Sequence, residues 1–383
     1  MQIGLYGLFA AAAAGFFSDN LGITLPWWVY AFIAMAIIAV LGYRQVDLSV
    51  KVLAILVSLE FLIVLILDAA ILIQGGQGGT APLNAIPFTW TAFTSGSVAI
   101  ALLFNFAAFI GFEATTIYSE EAKNPKRTVP RATYVAVLTI GVFYTLTTYL
   151  MVEGQGAAGL QEYLGSLQPD PTAFLFVLGG TYIGAALTTV MSLLFVSSVF
   201  AALLAFHNAV ARYLYALGRE GLVPAGLGRT HTKHLSPHAG SLSQSILAFV
   251  VVLIFVITGQ DPVLALFTWL TQLGTLAIIV LMALASFAIV AFFAGRRDLD
   301  SNVLRTVVAP IVGGVAMTAV AIYAASQFGL LIGNPESPLR WILPALIVVA
   351  AIGGIIAAVS LKGRSPELYA QMGRQRDIEL LPG

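Results

Sequence analysis

An all-α membrane protein of about ten transmembrane helices is what this sequence predicts, on its composition, the length of its apolar runs and the placement of its positive charges. Of 383 residues, 59% are hydrophobic and 9% charged. The mean hydropathy of +0.93 represents more apolar surface than one soluble core hides, so lipid must cover much of it. The 18 Lys and Arg balance 18 Asp and Glu. That leaves no basic surplus to neutralise phosphates, and excludes nucleic acid as a partner. The absence of cysteine removes disulfides, thiolate metal ligands and a cysteine nucleophile.

The apolar residues form runs near the roughly 20 residues that a helix needs to cross a ~30 Å hydrocarbon layer with its backbone satisfied internally. The first, Gln2 to Phe17, opens directly from Met1 with no positive charge ahead of it, so no secretory signal is expected. Trp27 to Gly42 follows Pro26, and Val52 to Ile73 follows a charged gap. Pro82 and Pro87 separate that third run from the fourth, Val98 to Tyr118, and Thr133 to Val152 is the fifth. Phe174 to Phe206, after Pro169 and Pro171, is read as a single sixth crossing. Leu242 to Thr258, Val263 to Phe293, Val307 to Ile332 and Trp341 to Leu361 complete the series, with Pro262, Pro335 and Pro338 at their edges. Residues 1–361 are thus expected to form one helical bundle, and 362–383 a mobile cytoplasmic tail.

Positive charge tests this count, because cytoplasmic loops collect Lys and Arg. Seventeen of the 18 basic residues, among them Arg44, Lys51, Lys123, Arg131, Arg212, Arg229, Arg296 and Lys362, follow an even-numbered run. Arg340 alone does not. Both ends of the chain are therefore expected in the cytoplasm and the bundle in the cytoplasmic (inner) membrane, and a β-barrel is disfavoured.

Charge within the spans is expensive, at least ~2.5 kcal/mol near the bilayer centre on insertion scales, so each instance needs a reason. Glu60 and Glu113 lie at depth and are candidates for proton uptake and release; either is also compatible with a neutral acid that hydrogen-bonds two helices. Asp68, toward the outer end of the third run, is expected to be solvated and interfacial. Beside Glu113 stands Gly111, which leaves helical φ/ψ cheaply. A break there exposes carbonyls at one half-helix end, which receive cations, and amides at the other, which suit anions. A continuous helix with glycine at a packing contact is the plainer alternative.

The stretch Phe109, Ile110, Gly111, Phe112, Glu113, followed by residues 119–131 (SEEAKNPKRTVPR), resembles the sixth transmembrane helix and next cytoplasmic loop of amino acid permeases in the amino acid, polyamine and organocation (APC) superfamily. Residues 197–221, with Pro224 after them, are similar to the end of that family's eighth helix and its following loop. Helix order and spacing match the family's third to twelfth helices. The resemblance implies secondary active transport of amino acids by alternating access, in a partial five-plus-five inverted-repeat fold with broken first and sixth helices. It implies that carbonyls of Phe109, Ile110 and Gly111 meet a substrate amino group, and that Glu113 stabilises the break or couples protons. Some proton-coupled members carry a lysine where Ser58 stands. That departure leaves Glu60 as a titrating partner, or room for sodium held partly by Ser197 and Ser198; proton coupling ranks ahead of sodium, and exchange stays open. The family's first two helices have no counterpart here, which reads as a truncated gene, a misplaced start or a partial chain, and the expectation is that this chain does not transport alone.

Other signals are weaker. Three of the four histidines, His231, His234 and His238, have a metal-like spacing but sit in a loop without carboxylate or thiolate partners, so no metal is expected. The Gly75 to Gly79 stretch follows a membrane helix and lacks a Lys-Ser or Lys-Thr, so it is not a nucleotide loop. No other cofactor is implied, and oligomeric state is not legible. Trp269, Gln272, Gly274 and Thr275 interrupt an apolar run, where they line a path or simply pack. The rival readings are a membrane-embedded enzyme using Glu60, Glu113 or a histidine, and a non-transporting remnant.

Overall fold

The structure, a computed structural model, describes residues 1–44, 50–113, 124–167, 172–231 and 236–372. Apart from an isolated bridge between Gly76 and Ala81, the described residues hold helices, turns and loops but no strand. Among the described residues, eight helices are long and apolar enough to cross a membrane: Trp27–Arg44, Ala54–Gln74, Arg127–Gln155, Gly184–Arg219, His238–Ile257, Pro262–Ala294, Leu304–Ser326 and Leu339–Arg364. We name the main helices in chain order α1 (Gln2–Leu21), α2 (Trp27–Arg44), α3 (Val50–Gln74), α4 (Val98–Phe109), α5 (Pro125–Gln155), α6 (Ala173–Tyr182) and α7 (Gly184–Arg219). They continue with α8 (His238–Ile257), α9 (Thr268–Ala294), α10 (Ala309–Ser326) and α11 (Leu339–Arg364). Every apolar run of the sequence is represented, with one correction. The sixth run is two helices, parted at Ile183 and at Gly184, whose φ of +80° is open to glycine and ends α6. The helix of the fourth run ends at Phe109, as the break expected at Gly111 requires, and residues 114–118 of that run lie outside the described residues.

Helix starts follow local chemistry. Ser97 caps α4 by accepting from the Ile100 amide at 3.3 Å. The Asp261 carboxylate accepts from the Val263 and Leu264 amides, both at 2.7 Å, and Pro262 needs no partner at the first helical position. A π-helical turn, Pro262–Phe267, then leads into α9, and a second, Leu304–Val308, leads into α10. Outward-facing apolar side chains such as Ile352, Ile355 and Val359 of α11 are exposed, as a lipid-covered surface requires.

The described helices cluster into two compact units. One comprises Phe61–Ser192 and Thr268–Pro344. Within it, Phe61 lies against Phe143 with ring centroids 4.5 Å apart, Asp68 bonds Thr147, and Ile71 touches the position of Gly154. Contacts that advance together along both chains mean that α3 and α5 run parallel. The other unit comprises Gln2–Glu60, Leu193–Phe267 and Ala345–Gly383. Here Phe17 stacks on Tyr30 at 5.6 Å between α1 and α2, Phe32 and Phe249 meet at 5.3 Å between α2 and α8, and Phe9 and Phe200 at 5.9 Å between α1 and α7. With Gly42 against Ser241 and Gln2 against His207, these pairs are antiparallel. All four directions agree with runs that cross in strict alternation: the third and fifth alike, the others opposed. Part of the expected tail is ordered, since residues 366–371 form a short helix and Leu368 reaches the position of Gly221.

Small residues allow backbones to approach within a membrane bundle. A Cβ built on Gly7 of α1 would overlap the Pro262 carbonyl in the same unit. Gly7→Ala is therefore expected to destabilise this unit by about 1–3 kcal/mol, as overpacking does. Denaturant titration of the purified protein in detergent checks this, and an unmoved midpoint would disprove the close approach.

Candidate functional site: a broken helix with a carboxylate across the break

The apolar segment from Val98 favours a helix, and the chain leaves it where Gly111 makes another path inexpensive. Ile110 caps α4 in an extended conformation (φ −61°, ψ 131°), and Gly111 follows with φ +117°. No L side chain adopts that φ comfortably. The amide of Ile110 turns back to the Ala107 carbonyl, and that of Phe112 to the Phe109 carbonyl at 3.3 Å. The carbonyl oxygens of Ile110 and Gly111 have no hydrogen-bond partner among the described residues. They sit at the negative end of a helix, where partial charge favours a cation such as an ammonium group. Glu113 reaches back across the break, its Oε2 accepting from the Gly111 amide at 2.8 Å. Phe109 packs edge-on to Tyr144 of α5 at 6.2 Å and beside Gly141. Gly111 itself is exposed, and a Cβ placed on it would meet nothing within 4 Å.

Phe109, Ile110, Gly111 and Glu113 thus form one local constellation. The second group of sequence candidates lies in the other unit, where Ser198 Oγ on α7 donates to Glu60 Oε2 on α3 at 2.8 Å. The remaining two serines turn to their own helices. Ser58 donates to the Ala54 carbonyl at 2.7 Å and Ser197 to the Leu194 carbonyl at 2.9 Å.

Asp68 departs from expectation. It is 3% exposed rather than solvated, and its side chain is met by Thr147 of α5. Thr147 Oγ1 donates to its Oδ2 at 2.6 Å. Sequence reasoning also missed a buried polar cluster in the other unit. His207, wholly buried rather than at a wet helix end, has Nδ1 3.2 Å from Gln2 Nε2 and Nε2 2.8 Å from Ser241 Oγ. With Gln2 donating to Nδ1, the ring proton belongs on Nε2, pointing at Ser241. Gln244 in turn donates to Gln2 Oε1. The i, i+3 spacing of Ser241 and Gln244 at the start of α8 was the available signal, since it sets both on one helix face. Gln272 is also buried, with neither amide atom bonded among the described residues. His234, and residues 119–123 of the loop after Glu113, lie outside the described residues.

The sequence profile of the family described as amino acid permease matches residues 1–352. The chain belongs to the amino acid permease family. Among known relatives of this permease, the branched-chain amino acid permease BcaP of Bacillus subtilis (strain 168) is 30% identical over 218 residues, 55% of this chain and 42% of that protein. BcaP of Lactococcus lactis subsp. cremoris (strain MG1363) is 33% identical over 146 residues, 38% of this chain and 30% of the relative. The low-affinity putrescine importer PlaP of Escherichia coli (strain K12) is 25% identical over 227 residues, 56% and 46% of the two chains. The chain spans less than half the length of these relatives in the matched regions. Family membership and helices of this length and apolarity make the permease a multi-pass integral membrane protein.

Proposed function

We propose that this permease carries amino acids, or related amines, across the cytoplasmic membrane by proton-coupled secondary transport. The observation that carries the reading is the termination of α4 at Phe109, with the Ile110 and Gly111 carbonyls unbonded among the described residues and Glu113 holding the Gly111 amide. Branched-chain amino acids and putrescine, the cargo named for the relatives, share a primary amine that is protonated at neutral pH. An ammonium donates to carbonyl oxygens at a helix end with favourable dipole direction. A transported group must also be released, and neutral carbonyls bind an ammonium less tightly than a direct ion pair would. Proton coupling takes support from two carboxyl groups within apolar runs of the sequence, Glu60 on α3 beside the Ser198 hydroxyl and Glu113 beside the break. A sodium site of Ser197 and Ser198 has less support, because their hydroxyl protons are directed to Leu194 and Glu60. The basic residues after even-numbered runs support a cytoplasmic side for both ends of this chain.

Proteoliposomes containing the chain test the reading directly. Against the expectation from the resemblance that the chain does not transport alone, the intact geometry of the break leads us to expect that labelled leucine or putrescine accumulates under an inward proton gradient and leaks out on addition of a protonophore. Accumulation driven by sodium alone would replace the coupling ion, and none under either gradient would reject transport by this chain. Since the protein has no cysteine, Arg297→Cys provides a clean orientation probe: labelling by an impermeant maleimide only from the cytoplasmic side is expected.

A further inference from the structure

We propose that Asp68 is a proton-binding site inside the membrane, loaded on Oδ1 and held at the seam between α3 and α5. Its two oxygens are not equivalent. Oδ2 accepts from Thr147, whereas Oδ1 is buried without any hydrogen-bond partner. The residue is 3% exposed, in the last third of an apolar helix in which Leu67 and Ile71 are fully buried as well. An anion here would have one neutral hydroxyl as its whole compensation, an arrangement that lipid-embedded proteins strongly disfavour.

The charged and titratable groups nearest along these elements are engaged elsewhere. On α5, Tyr144 packs against Phe109, Tyr149 donates to the Asn84 carbonyl at 2.9 Å, and Glu153 accepts from the Asn84 amide at 2.8 Å. On α3 itself, Glu60 is bonded to Ser198. No Lys or Arg is paired with Asp68 among the described residues. The simple way to satisfy the site is a proton forming an O–H bond at Oδ1. That step breaks nothing, because Thr147 continues to donate to Oδ2, now the carbonyl oxygen of a neutral acid. Loss of the proton has a different consequence, since the bare Oδ1 then requires water or a parting of α3 from α5. Proton occupancy at Asp68 therefore sets how tightly the parallel α3 and α5 pair closes. A carboxylic acid that keeps its proton at every pH would also sit comfortably here, and titration separates the two.

The test is infrared difference spectroscopy of the full chain in liposomes, alkaline minus acid. Isotope labelling of aspartate marks the relevant bands without mutation, and Asp68 is the one fully buried aspartate among the described residues. The expected result is an aspartate-sensitive protonated-carboxyl band that disappears at alkaline pH, is absent in Asp68→Asn, persists in Glu60→Gln and Glu113→Gln, and moves to higher frequency in Thr147→Val as its carbonyl loses a donor. A band that stays at every pH, survives Asp68→Asn, or ignores Thr147→Val would overturn the proposal. No substrate is needed, so this outcome is independent of whether the chain transports.

Discussion

Gly111→Ala is expected to weaken substrate binding by about one to two orders of magnitude while leaving the protein folded. The reason is conformational rather than steric. The φ of +117° is open to glycine and strained for any residue with a Cβ. Holding such a residue there costs of order 1–3 kcal/mol, and ~1.4 kcal/mol is a tenfold change in affinity. A built Cβ meets nothing within 4 Å, so crowding contributes little and Gly111→Leu is expected to lose about as much as alanine. The strained chain relaxes toward helix, which turns the Ile110 and Gly111 carbonyls into ordinary ladder partners and withdraws them from the ammonium. Dissociation constants for labelled leucine or putrescine on purified protein supply the measurement. An unchanged constant in Gly111→Ala would show that the break is not where substrate sits. A loss that grows with side-chain size would mean the site is closed by bulk, not by backbone geometry.

Much of this was legible in the sequence because membrane helices announce themselves by composition alone. A run of twenty apolar residues has few structural options in lipid, and Lys and Arg between runs fix the alternation. Gly111 with Glu113 was legible too, since a flexible residue beside an intramembrane acid is locally anomalous. What stayed hidden depends on partners distant in sequence. Thr147 stands 79 positions from Asp68, and nothing in the third run shows whether that acid faces water or α5. Ser198 stands 138 positions from Glu60 and Gln2 stands 205 from His207. The division of the sixth run at Gly184 was missed because one glycine within an apolar stretch usually only weakens a helix. The π-helical turns before α9 and α10 change hydrogen-bond register, which leaves no mark on hydropathy.

The sharpest division of roles concerns Glu113. Its Oε2 accepts the Gly111 amide, so it satisfies the backbone of the break, and under the proposed function it also couples protons. Two substitutions separate these jobs. Glutamine retains an acceptor oxygen in the same place but never ionises, so the amide stays bonded, at the lower strength of a neutral hydrogen bond, about 0.5–1.5 instead of 1.5–3 kcal/mol. Alanine removes the acceptor and leaves the Gly111 amide unpaired unless water reaches it, at roughly 1–3 kcal/mol. Glu113→Gln is accordingly expected to bind substrate within about tenfold of the original protein but to lose accumulation driven by a proton gradient, with uptake no longer dependent on pH. Glu113→Ala is expected to lose binding as well, since the carbonyl pair is held open by that amide bond. Uptake by Glu113→Gln that keeps its pH dependence would assign Glu113 to the architecture of the break alone and leave proton coupling to Glu60. Equal affinity in the glutamine and alanine variants would instead show that the break stands without its carboxylate, and that only the charge matters.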